Sequence, residues 1–248
     1  MPINPPSQTR PQLHSDPSLL EQIPLFHGLS EAELVRVGAG LISVRLPGRA
    51  MLSTEAHWRD QVLILSEGAA KVQVEQPNGN PVVVTVLGPG QMLSELSQSA
   101  GFSCAVTIEM LESSVLLRMS GAHYQHILHT IPTLSANVVR QLTQRLRLAN
   151  QQIMALATFG AEGRVAAQIH ALATIYGQPN VTGLREIPFR LTQSTLAALT
   201  GLSRVRVNQV IQRFQAEQII GLGPQYRLHL RDEAALISYT VAPRIPTH

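Results

Sequence analysis

The stretch "LTQSTLAALTGLSRVRVNQVIQRF", residues 191–214, holds side chains that can read a nucleobase edge. Arg204 and Arg206 open what reads as a helix, followed by Asn208, Gln209, Gln212 and Arg213. An Arg fork fits guanine O6 and N7, and an Asn or Gln amide fits adenine. Val205 is placed to touch a thymine methyl. Thr192, Ser194, Ser203 and Arg213 are suited to phosphate contacts, helped by helix N-termini.

The spacing supports that chemistry. Val207, Val210, Ile211 and Phe214 stand at i, i+3, i+4 and i+7 and form one apolar face. Val205, Asn208, Gln209 and Gln212 then point away from it, with Arg204 and Arg206 at the N-terminal end and flanks. Thr192 predicts the cap of a first helix and Ser203 the cap of a second. Gly201 supplies the left-handed residue that stops the first. The pattern predicts a helix–turn–helix.

A second stretch is defined by what it lacks. "GQMLSELSQSAGFSCAV", residues 90–106, is rich in small and hydroxyl residues and could wrap a small ligand. It has one carboxylate, Glu95, and no cation. Burying a phosphate monoanion without a paired cation is costly. A charge-assisted hydrogen bond contributes roughly 1.5–3 kcal/mol.

Composition narrows the classes. In 248 residues with 44% apolar content there is material for one or two cored domains. No run approaches the ~18 apolar residues of a membrane span, and the Pro/Ser-rich start lacks the pattern of a secretory signal. The cytoplasm is the expected compartment, with no membrane partner. Cys104 is the only cysteine, so one chain holds no internal disulfide, cysteine-held iron–sulfur cluster or Cys-rich zinc site. His123, His126 and His129 would spread over a helix face, so no metal site is expected. No Gly-rich phosphate loop, HExxH or nucleophile elbow is present, and no catalytic residue is assigned. Residues 1–159 carry 10 Lys/Arg against 11 Asp/Glu, a net of −1; residues 160–248 carry 9 against 5, a net of +4. A basic C-terminal part points to a polyanionic partner there.

The elements that position these residues follow from periodicity. Residues 1–22 read as a flexible tail. Ser30 and Glu33 form a capping box before a short helix. Residues 23–130 carry short alternating runs with turn signals, including Asn78-Gly79 between two runs, and predict a small antiparallel roll. Residues 131–159 predict one long helix opened by Pro132. Its Val139, Leu142, Leu146, Ala149, Ile153 and Leu156 are spaced 3, 4, 3, 4 and 3 apart, an a/d seam suited to a parallel homodimer. Residues 160–248 read as helices with a loop at 178–188, ending in two short strands around Gly223-Pro224. The fold class is α+β: an antiparallel roll, a long dimerisation helix and a winged helix–turn–helix.

That order of parts resembles the CRP/FNR family of bacterial transcription regulators over residues 23–232. "LSRVRVNQVIQRF", "GRVAAQIHALA" and "GPGQMLSELS" carry the resemblance. It implies a homodimer that binds palindromic double-stranded DNA, with RNA polymerase as a candidate partner, and Arg204 as the guanine reader. Val205 stands where the family often has Glu, so the half-site is not transferable. The family's cyclic-nucleotide-binding members use a Gly-Glu-Leu followed by an Arg-Ser pair. Here Ser94-Glu95-Leu96 matches the first, and Ser103 and Cys104 fall near the second. Ala149 and Asn150 fall where the family's long helix meets adenine. The resemblance thus implies a roll that senses a small-molecule effector, with cyclic AMP not expected in the usual way. The alternative is a genuine cyclic-nucleotide-responsive regulator with a variant phosphate cassette.

Overall fold

A computed structural model describes residues 17–53, 60–75, 81–93 and 106–240. The chain divides into two compact units, residues 1–144 and 145–248.

The first unit is a roll with helices on one side. Helix α1 (Pro17–Glu21) and α2 (Glu31–Gly38) precede the strands; α1 corrects the end of the expected flexible tail, because Leu20 is buried in the core. Ser30 caps α2 as expected: its Oγ accepts from the Glu33 N–H, while its own N–H donates to the Glu33 carboxylate at 2.8 Å. That backbone bond holds the Glu33 carboxyl below its ordinary range. Strands β1 (Ile42–Leu46), β2 (Met51–Ser53), β3 (Gln61–Glu67), β4 (Ala70–Glu75), β5 (Pro81–Leu87), β6 (Val106–Met110) and β7 (Ser114–Ser120) follow. They form two antiparallel sheets, ordered β1-β7-β3 and β2-β6-β4-β5. Glu75 pairs with Pro81, as the expected hairpin requires; Asn78 and Gly79 themselves lie outside the described residues.

Strand β3 shows why the unit has two cores. Successive strand residues face opposite sides, and in β3 both sides are buried. Leu63 and Leu65 join Leu116, Val72 and Ile108 inside the roll. Val62 and Ile64 join Leu117, Met119, Phe26 and Ile127 in the second core. A strand covered on both faces must be an unbroken apolar run, and "VLIL" is one.

Helix α3 (Gly121–Thr130) leads into α4 (Pro132–Thr158). The start of α4 is fastened to the first unit by two buried amides. Asn137 Nδ2 donates to the carbonyls of Leu25 and His27 at 3.0 and 2.9 Å. Gln141, only 5% exposed, donates to the Gly90 carbonyl at 2.8 Å and accepts the Met92 N–H at 3.1 Å.

In the second unit α5 (Ala161–Tyr176) follows Gly160, which caps its N-terminus by backbone alone. Next come β8 (Gln178–Pro179), β9 (Arg185–Arg190), α6 (Gln193–Thr200), α7 (Arg204–Ala216), β10 (Ile220–Leu222), β11 (Arg227–Leu230) and α8 (Glu233–Ser238). The expected loop at 178–188 is corrected: most of it is strand, and the wing sheet runs β10-β11-β9-β8. Ile187 and Phe189 alternate inward and are fully buried. Pro188 lies between them and has no N–H to give, and the β9–β11 register shifts there. Helix α8, capped by Asp232 accepting from Ala235 N–H at 2.9 Å, was not anticipated.

In the wing, His229 of β11 is 8% exposed and its Nδ1 is buried without a hydrogen-bond partner. It pairs across the sheet with Gly221 and Glu186; a Cβ on Gly221 would run into its ring. Burial first, then Arg231, pushes its pKa down against the opposing pull of Glu186. The folded state therefore favours the neutral ring. Stability from this site is present above the unfolded value of about 6.5 and is lost as pH falls below it.

Two predictions follow from these packed polar groups. Gln141→Leu takes away partners from two buried backbone groups and should cost about 1–3 kcal/mol for each, measured as a lower urea midpoint. A loss within error would show that α4 is not held there. In pH-dependent melts the wild-type chain should lose stability below about pH 6.5 more steeply than His229→Gln; parallel curves would show that His229 titrates freely.

Candidate nucleic-acid interface

The helix–turn–helix forms as its residues dictate. Thr192 Oγ1 accepts from the Thr195 N–H at 3.1 Å and caps α6. Gly201 ends it at φ 65°. Ser203 Oγ accepts from the Arg206 N–H at 3.2 Å and caps α7. Val207, Val210, Ile211 and Phe214 are buried. At about 100° per residue, that fixes an outward ridge through Val205, Gln209 and Gln212. Val205, an apolar side chain, is 69% exposed.

The two flanks of α7 differ. Arg204 shares one with Arg190, Thr192, Gln193, Ser194 and Tyr226, which line a cleft of about 280 Å³ between α6, α7 and the wing. Asn208 lies on this side and accepts from Gln193 Nε2 at 2.7 Å. Arg190 stacks over the Tyr226 ring at 5.4 Å. Tyr226 and Gln225 both take positive φ at the wing turn, and Tyr226 is exposed. This cleft brings two guanidiniums, hydroxyls and the α6 N-terminus to one surface.

On the opposite flank the cations are already engaged. Arg206 lies 3.7 Å from Glu162 of α5 and donates to Gln209 at 3.2 Å. Arg213 pairs with Glu162 at 3.1 Å and with Glu217 at 2.8 Å. Tyr239 donates to Glu217 at 2.7 Å. The Arg213 bond, then the Tyr239 bond, holds the Glu217 carboxyl below its ordinary range. Exposed pairs of this kind are worth ~0–1 kcal/mol, so a phosphate can compete for Arg206 at small cost. Arg213, with two carboxylates and a tyrosine ring around it, is committed to the helix's own packing.

The sequence reading named Arg204 but not Arg190, Tyr226 or Glu162. Arg190 ends the strand that the loop reading of 178–188 obscured, and Tyr226 lies in the expected wing at its turn, where no role was assigned to it. The basic C-terminal balance included Arg190 without placing it.

Along α4 the seam residues Val139, Leu142, Leu146, Ala149, Ile153 and Leu156 are all exposed in the single chain, Leu146 at 62% and Ile153 at 64%. Asn150 is exposed as well. The cassette positions Ser94, Glu95, Leu96, Ser103 and Cys104 lie outside the described residues. Among the described residues no group of three or more His, Cys, Asp or Glu is placed to hold a metal ion. No described helix is long and apolar enough to cross a membrane.

Known proteins share both units. Residues 43–130 match the cyclic nucleotide-binding domain family, and residues 163–239 match the Crp-like helix-turn-helix domain. The CRP-like cAMP-activated global transcriptional regulator of Mycobacterium tuberculosis is 28% identical over 79% of this chain and 87% of its own length. The cyclic AMP receptor protein of Thermus thermophilus is 27% identical over 81% and 89%. Among solved structures, FixK2 from Bradyrhizobium japonicum superposes with a TM-score of 0.66 at 14% identity, covering 82% of this chain and 98% of FixK2. A CooA mutant from Carboxydothermus hydrogenoformans gives 0.64 at 20% identity, covering 90% and 95%; these two show the fold.

A cyclic nucleotide-binding roll followed by a winged helix–turn–helix defines a DNA-binding transcription regulator, a class that is not enzymatic. The two matched domains and the CRP-named relatives support the CRP/FNR family of these regulators.

Among the described residues the ion pairs of α7 involve Arg206 and Arg213 and not Arg204. Arg204→Ala should weaken specific DNA binding by ~1–3 kcal/mol and relax one base position in a binding-site selection. An unchanged selected motif would remove Arg204 from base reading.

Proposed function

We propose that the chain acts in the cytoplasm as a homodimer that binds a palindromic operator in double-stranded DNA. Helix α7 enters the major groove, Arg204 forks onto a guanine, and Val205, Gln209 and Gln212 face neighbouring bases. Thr192, Ser194 and Ser203 meet phosphates, with Arg206 exchanging Glu162 for one. The observation that carries this reading is the pairing of two exposed surfaces: the outward ridge of α7 and the apolar seam of α4. A single chain has no use for either. RNA polymerase is the candidate partner once DNA is bound.

The roll is a sensor for a small-molecule effector. The effector acts by differential affinity for two arrangements of the DNA-binding units about Phe159-Gly160. Cyclic AMP is not its ligand in the usual way, because residues 90–106 carry no cation to oppose a phosphate. A second reading is favoured by the two curated relatives, which are cAMP-responsive by name. In it the roll responds to a cyclic nucleotide through a variant phosphate site.

Sedimentation tests the dimer. The wild-type chain should run at twice its 27.0 kDa mass. Leu146→Glu with Ile153→Glu should run as a folded monomer and lose operator affinity. A wild-type monomer, or a double variant that stays dimeric, contradicts the seam.

A further inference from the structure

Residues 90–106 lack a cation, but the roll interior does not. Strand β7 alternates between the two cores: Leu117 and Met119 point to the helix side, and Leu116 points into the roll. Arg118, two residues after Leu116, therefore lies on the roll-interior face. Its cross-strand partners agree. Arg118 pairs with Leu63 on β3, a buried member of the interior core, and with Ile42 on β1. Ile42 shares its face with Val44 and Leu46 but is exposed. The edge strand is thus uncovered beside Arg118, which is itself part-exposed.

The same register brings Arg118 close to where the cassette begins. Beside β3, on the side away from β7, runs the segment 91–93. Leu65 N–H donates to the Gln91 carbonyl at 2.9 Å, and Leu93 N–H donates to the Leu63 carbonyl at 2.8 Å. Leu63 is the residue opposite Arg118. Two strand spacings of ~4.8 Å separate the Arg118 backbone from Leu93. On the other sheet, Val106 is four residues before the end of β6 and Arg118 four after the start of β7. The two thus lie at the same end of the roll.

Arg118 is also short of partners. Its Nε is buried and makes no hydrogen bond. The described ion pairs on the sheets, Arg45 with Glu67 and Lys71 with Glu109, do not involve it. A buried donor left unmade carries a penalty that an incoming acceptor removes.

We propose that Arg118, on strand β7, supplies the cation for an anionic effector in the roll, a small molecule bearing a phosphodiester. This rests on the second reading above, a phosphate site of variant construction. The guanidinium meets the phosphate from the sheet instead of from the segment between β5 and β6. The cation is thus moved about fifteen residues along the chain, from near Ser103 to Arg118.

Calorimetry of the full chain with cyclic AMP, cyclic GMP and cyclic di-GMP tests this. The wild-type chain should bind at least one of the three. Arg118→Gln should bind that ligand about ten- to a hundredfold more weakly, and Arg118→Lys should fall between. Arg118→Gln should melt no lower than wild type without ligand, since the donor it removes is unpaired. Equal affinity in Arg118→Gln overturns the proposal, and so does the absence of binding of all three by wild type. The dimer mass without ligand separates this from the regulator reading. Both chains run at twice the 27.0 kDa monomer mass if that reading stands, whatever calorimetry gives.

Discussion

The amide of Gln141 is the fastening on which much of the first unit depends. One side chain from the long helix donates to the Gly90 carbonyl and accepts the Met92 N–H. Residues 91–93 are in turn bonded to β3. The seam helix, the strand covered on both faces and the entry to the cassette are thereby joined through one buried group. Buried amides need both halves satisfied, so a shift of that segment has to be paid for at the helix. A displacement of residues 90–92 is therefore felt at Gln141 of α4.

Helix α7 shows how one amphipathic pattern carries several tasks at once. Its apolar face packs, its capped N-terminus presents Arg204, and its ridge is exposed. The three arginines of α7 divide by angle. Arg206 and Arg213 face α5 and are balanced by Glu162 and Glu217. Arg204 faces the cleft shared with Arg190 and Tyr226. Arg204 and Arg190 therefore share the flank of α7 that faces the wing, while the carboxylates lie on the other.

Where local signals decide structure, the sequence was legible. The capping box at Ser30, the helix opened by Pro132, the stop at Gly201 and the apolar face ending at Phe214 all follow from spacing and cap chemistry. Strand β9 was hidden because Pro188 is a breaker by type, and only the register shift opposite it shows how the sheet accommodates it. The engagement of Arg213 was hidden because Glu162 is 51 residues away in sequence. Arg118 was hidden for a similar reason. The missing cation was legible as an absence in residues 90–106, but pairing register alone places a distant arginine on the interior face.

Selection of bound sequences from random duplex DNA by the wild-type chain is the most direct measurement. The selected sequences should contain two inverted half-sites centred about 10–10.5 base pairs apart, each with a guanine facing Arg204. Recovery of no motif, or of a single half-site without its inverted mate, would contradict a dimer that reads DNA through α7.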